Sequence, residues 1–113
     1  MAVAMCRALK VLCVASDRQA LMDLKRAAVS AEWELAPGAI TEADALAQLE
    51  SERPDVLVLF GEFEELVSRV REGRPTIRIV CDRELPGATV VVERPEEIRD
   101  AVRALPSPGG PVR

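Results

Sequence analysis

Short apolar runs alternate with runs of helical periodicity along the whole chain, and this alternation restricts the fold more than any other feature. "KVLCVA" (10–15), "DVLVLF" (55–60), "TIRIVC" (76–81) and "TVVVE" (89–93) have strand length and are rich in β-branched residues. "WELAP" (33–37) is a shorter strand closed by the turn signal Pro37-Gly38. Between these runs the period changes to that of a helix. Ser16 reads as an N-cap with Gln19 in the capping-box position, and Leu21, Leu24 and Ala28 follow as one stripe to about Ala31. Thr41 caps a second helix, with Asp44 in the reciprocal position and Ala45, Leu46 and Leu49 facing inward; Pro54 closes that region. The third helix spans 62–72, with Phe63, Leu66, Val67 and Val70 as its stripe and Gly73 in the position after it. Pro95 opens the last helix, Glu96 and Glu97 favour its dipole, and Ile98, Ala101, Val102 and Leu105 form its stripe.

Strand–helix units in this order build a parallel sheet with helices on both faces. The third strand is apolar on both sides, as a covered central strand must be. The fourth alternates Ile77, Ile79 and Cys81 with Thr76, Arg78 and Val80, so one of its faces is expected to meet solvent. One unit is incomplete. Only "DRELPGA", seven residues, separates Cys81 from Thr89. A parallel crossover normally takes about a dozen residues and usually contains a helix. Seven residues at ~3.4 Å each just return the chain along a short strand and leave no room for a helix. Alternatively, Pro86-Gly87 makes a tight turn and the last two strands pair antiparallel.

The charge balance narrows the partners. A net charge of −4, with thirteen arginines and two lysines scattered rather than clustered, speaks against nucleic acid. No apolar run approaches the ~20 residues of a membrane span. "MAVAMCRALKVLCVA" lacks a leading positive charge and is interrupted by Arg7 and Lys10, so it does not read as a secretion signal. Three cysteines, no histidine and no CxxC argue for a reducing cytoplasm and against a metal centre. Residues 1–105 are expected to form a single domain. Residues 106–113, "PSPGGPVR", read as a flexible tail or linker stub.

Three segments resemble the receiver domain of bacterial two-component response regulators, and they lie in the receiver order. "KVLCVASD" is similar to the first strand and its acidic turn. "RPDVLVLF" is similar to the strand that ends in the phosphoacceptor aspartate. "GATVVVERPEEI" is similar to the segment where a Gly-Ala pair leads into strand five, followed by Lys-Pro and the last helix. The resemblance covers Lys10 to Leu105. It implies a flavodoxin-like five-stranded parallel sheet of order 2-1-3-4-5, a parallel fifth strand, and a fourth helix replaced by a short loop.

The resemblance also implies a chemistry, namely phosphoryl transfer to an aspartate assisted by Mg²⁺. That chemistry needs a carboxylate nucleophile, an acidic pair to hold the ion, a hydroxyl, and a lysine to neutralise the phosphoryl charge. The matching positions here are degenerate. Phe60 stands at the acceptor. Ala15 and Ser16 stand at the acidic pair. Val80, or Cys81 if the register slips by one, stands at the hydroxyl. Arg94 stands at the lysine, keeping the charge but not the point-donor geometry. Asp17 reads as a residue of the first helical turn, Glu62 as a helix-opening acid, and Asp82 as a carboxylate able to face the same crevice as Asp17. Cys13 lies inside a strand as a small buried thiol. Cys81 lies at a strand end with no histidine base near it in sequence.

The expected function is therefore a phosphorylation-independent signalling or adaptor module without enzymatic activity, cofactor or metal. It is expected to act by protein–protein contact, as a homodimer or with another protein. The expected surface is the face of strands four and five: Arg78, Val80, Leu85, Thr89, Val90, Val91 and Val92. The alternative is a flavodoxin-like small-molecule binder or enzyme using the crevice after strands one and three, although no Gly-rich loop follows either strand. Phe60 is expected to be substantially buried over Ala15 and Val80, with Phe60→Asp costing ~3 kcal/mol or more.

Overall fold

The structure, a computed structural model, describes residues 9–105. Its elements are β1 (Leu9–Ala15), α1 (Arg18–Ala28), β2 (Trp33–Leu35), α2 (Glu42–Glu52), β3 (Val56–Phe60), α3 (Glu64–Gly73), β4 (Arg78–Cys81), β5 (Val90–Val91), a 3₁₀ turn (Pro95–Glu97) and α4 (Ile98–Ala104). The strands form one sheet in the order β2-β1-β3-β4-β5. Every pairing is parallel, including β4 with β5, where Val80 stands opposite Val90 and Cys81 opposite Val91. The expected strand order and the parallel fifth strand are both present. The tail expected at 106–113 lies outside the described residues.

Strand alternation divides the core into two layers. Leu12, Val14, Leu57, Leu59, Ile79 and Cys81 pack against the stripes of α2 and α3: Ala45, Leu49, Leu66, Val67 and Val70. Val11, Cys13, Ala15, Val56, Val58 and Val80 pack against α1 and α4 through Leu24, Ala28, Ile98 and Val102. The three middle strands have no wet face, which is why their sequences are apolar on both sides.

Helix boundaries follow local chemistry. Asp17, not Ser16, caps α1: its Oδ1 accepts the Ala20 N–H at 2.8 Å. Ser16 and Asp17 are both good N-cap residues, and their order along the chain does not choose between them. The Gln19 amide donates to Asp23 rather than back to the cap. Thr41 caps α2 as expected, accepting the Asp44 N–H at 3.1 Å. The first helix stops at Ala28, short of Ala31, and α3 starts at Glu64 rather than 62. Gly73 is the last residue of α3 and not the residue after it.

β4 departs from expectation. All four of its residues are buried, and Arg78 is only 8% exposed. The charged residue does not mark a solvent face. Its long stem lies in the layer that α1 and α4 cover, and the Asp55 carboxylate attracts its guanidinium against the cost of burial.

The eight residues 82–89 replace a crossover helix. Leu85 and Ala88 pack onto the α2/α3 layer and close the space beside β4. Gly87, at φ +96°, presses this loop against α3, since a Cβ there would stand 3.0 Å from a Val67 methyl. Arg71 of α3 then holds the loop. Its Nε and Nη2 donate to the Gly87 carbonyl at 2.9 and 2.7 Å, and Nη2 also reaches Thr89 Oγ1 at 3.2 Å. Its Nη1 bonds the carbonyls of Pro75 and Ile77 in the turn before β4. Thr89 Oγ1 accepts the Ile79 N–H at 2.9 Å as well, standing in for a backbone acceptor where β5 begins.

Candidate functional site

Parallel sheets gather ligands where the strands end at their carboxyl side. Here β1 ends at Ala15, β3 at Phe60 and β4 at Cys81. Ala15 and Phe60 are register partners in adjacent strands. Ala15 and Val80 are fully buried. The Phe60 ring packs against the cluster that contains both. Phe60 is half-buried rather than fully buried, because β3 ends there and the chain turns away at Gly61. Ala15, Phe60 and Val80, named from the sequence, are thus brought together in apolar packing, whereas Ser16 is exposed and lines the crevice.

The remaining polar groups near this point are engaged in structure. Asp17 is spent on the α1 cap. Asp82 ties the end of β4 to the turn after β3, because its Oδ1 accepts the Gly61 N–H at 3.2 Å. Arg83 forks onto the same carboxylate, Nε to Oδ1 at 3.0 Å and Nη2 to Oδ2 at 3.2 Å. This hydrogen-bonded pairing raises the guanidinium pKa above its usual value. Gly61 has φ +137°, and a Cβ there would strike the Phe63 ring at 2.9 Å, so only glycine allows this turn. Asp17 and Asp82 thus bond separate parts of the fold, one the α1 cap and the other Gly61 and Arg83.

The crevice itself is a shallow space of about 440 Å³ lined by Ser16, Ile40, Gly61, Glu62, Phe63 and Arg83. Arg94, expected as its cation, is exposed at the 3₁₀ turn and does not line it. Its cation is Arg83, 3.5 Å from Glu62, which sequence comparison position by position did not single out. The signal available was its place directly after Asp82 at a strand end. Among the described residues no three His, Cys, Asp or Glu side chains converge as metal ligands. Cys13 and Cys81, the cysteines among the described residues, are both buried and held in the thiol form at neutral pH. Burial pushes Cys13 up to about 12. Burial, and then the Asp82 carboxylate, push Cys81 up to about 11.

The expected contact face divides in two. Arg78, Val80 and Val92 are buried at 8%, 0% and 5% exposure and cannot touch a partner. The even-numbered residues of this region face the α1/α4 layer, which covers them. Leu85 and Val90 are half-buried, Thr89 is exposed, and Val91 is 44% exposed. Val91 points to the side where a crossover helix would otherwise lie. It borders a shallow depression of about 380 Å³ with Glu84, Leu85, Pro86 and Ala88. No helix among the described residues is long and apolar enough to cross a membrane.

No protein-family model and no curated protein matches this chain. Solved structures do. A CheY-like response regulator receiver domain protein from Methanospirillum hungatei is 17% identical with a TM-score of 0.71, covering 86% of this chain and 92% of that one. The chemotaxis response regulator CheY4 of Vibrio cholerae is 21% identical with a TM-score of 0.70, covering 86% and 98%. The response regulator domain of Thermotoga maritima CheB is 18% identical with a TM-score of 0.70, covering 88% and 100%. Identity this low speaks to architecture and not to activity. The chain has the fold of response-regulator receiver domains.

Proposed function

We propose that the protein is a receiver-like signalling or adaptor module that works by protein–protein contact and independently of phosphorylation. One observation carries this reading. Ala15, Phe60 and Val80 occupy the positions where a receiver would place carboxylates and a hydroxyl, and they pack into one apolar cluster. An apolar ring and two small apolar side chains supply neither a nucleophile nor an oxygen ligand. The protein then acts neither as an enzyme nor with a metal or cofactor, and the reduced thiols suit a cytoplasmic setting.

Contact runs through the accessible remainder of the predicted face, Leu85, Thr89 and Val91, with a second copy or another protein. β5 is a short edge strand, and its outer side has unpaired backbone groups available for such pairing. Incubation with acetyl phosphate and Mg²⁺ followed by intact-mass spectrometry tests the reading. An unchanged mass is expected, and addition of one phosphoryl group would overturn it. Trp33 is a poor reporter for this purpose, because it pairs with Leu9 at the far end of β1.

A further inference from the structure

A second groove lies beside the crevice, between the start of α3 and the loop that follows β4, with a volume of about 640 Å³. Its floor is apolar: Phe63 and Leu85, both half-buried, pack over the α2/α3 core layer, in which Leu66 lies buried beneath them. Its rim is acidic, with five glutamates and one arginine. Arg83 offsets only Glu62 of that rim, and its charge is shared with Asp82. Glu42 is matched by Arg69 at 3.0 Å. Glu64, Glu65 and Glu84 remain without a cationic partner among the described residues. Two of these three open α3, where the helix dipole stabilises them but leaves their outward charge in place.

We infer that this groove docks a basic amphipathic helix of a partner protein, its apolar stripe on Phe63 and Leu85 and its Lys or Arg residues on Glu64, Glu65 and Glu84. Charge complementarity selects the occupant: an apolar floor under a rim of uncompensated negative charge rewards cations flanking an apolar stripe. A second copy of this chain would bring a net charge of −4 to an already acidic rim. The inference rests on the adaptor reading above and adds the class of partner.

The test is a fluorescence-anisotropy titration of the whole protein with three labelled synthetic peptides. One is a Leu/Lys peptide of helical periodicity, one a Leu/Glu peptide of the same periodicity, and one a shuffled Leu/Lys peptide without a stripe. Binding of the first alone is expected. Glu64→Gln, Glu65→Gln and Glu84→Gln together should weaken it about tenfold, since each screened rim charge contributes modestly. The same neutralisation at Glu50, Glu72 and Glu96, away from the groove, should leave it unchanged. NMR shift changes should centre on Phe63 and Leu85. No binding up to about 1 mM, equal binding of the shuffled peptide, or equal weakening by both triple variants would overturn the inference. Shift changes confined to Thr89–Val91 would also overturn it while leaving the adaptor reading standing. That reading fails separately, on a phosphorylated intact mass.

Discussion

Phe60 shows how far a single residue can be read. Its type and position place an aromatic ring at the carboxyl end of β3. Its neighbours Ala15 and Val80 join it in apolar packing. Its half-exposure lowers the cost of replacing it, because a charged group there keeps part of its hydration. Phe60→Asp should therefore destabilise the fold by about 2 kcal/mol, less than for a fully buried ring, as read from urea midpoints. It should not make the protein a substrate for acetyl phosphate. The thiols make a second prediction at this scale. Their ordinary value is 9.0, and burial raises Cys13 to about 12 and Cys81 to about 11. Between those limits the unfolded chain has lost these protons and the folded chain keeps them, so folding is disfavoured as pH rises. Their contribution is flat below pH 9.0 and falls above it, by up to about 1.4 kcal/mol per pH unit for each thiol. Stability measured from pH 8 to pH 10 should drop less steeply in a Cys13→Ala, Cys81→Ala variant than in the parent.

Among the elements, the loop 82–89 carries the most information. Its sequence announces a missing helix but not where the loop lies. Leu85, Ala88 and Gly87 settle it against α3, and Arg71 holds it there with a fork that reaches three carbonyls and one hydroxyl. Nothing in the sequence separates Arg71 from any other arginine on a helix surface, since its hold on the loop depends on Gly87 and Thr89 folding back onto α3. Arg71→Ala should cost about 2 kcal/mol, and Arg71→Lys most of that, because an ammonium cannot reproduce the fork. Native-state hydrogen exchange should locate the loss at Thr89 and Val92, whose amides bond Ile79 and Cys81. Gly87→Ala should act on the same loop through φ +96° and its approach to Val67, at about 1–2 kcal/mol by denaturant melts. Arg78 teaches the opposite lesson. Alternation suggested a wet face because the method counts charge by residue, whereas the long stem of Arg78 is buried and only its head meets Asp55.

At the scale of the whole molecule, the sheet presents two different surfaces at β5. One is sealed by α4, which buries Val80 and Val92. The other is open at Val91 and is bounded by the loop rather than by a helix. Contacts that depend on this side should be lost in Val91→Glu without loss of fold. Sedimentation velocity should show a smaller assembly for this variant, or pull-down a missing partner, while circular dichroism stays that of the parent. An unchanged assembly and an unchanged partner set would move the contact elsewhere.

The sequence by itself determined the order of strands and helices, the burial of β3 on both faces, and the apolar residue type at the end of β3. Each of these depends on local periodicity or on residue type at one position, and such signals survive without knowledge of distant neighbours. The tertiary structure alone decided that Arg78 is buried, that Arg83, held by Asp82, lines the crevice in place of Arg94, and that Arg71 fastens the shortened crossover. These outcomes depend on segments far apart in the chain meeting at one place, and no local pattern encodes that meeting.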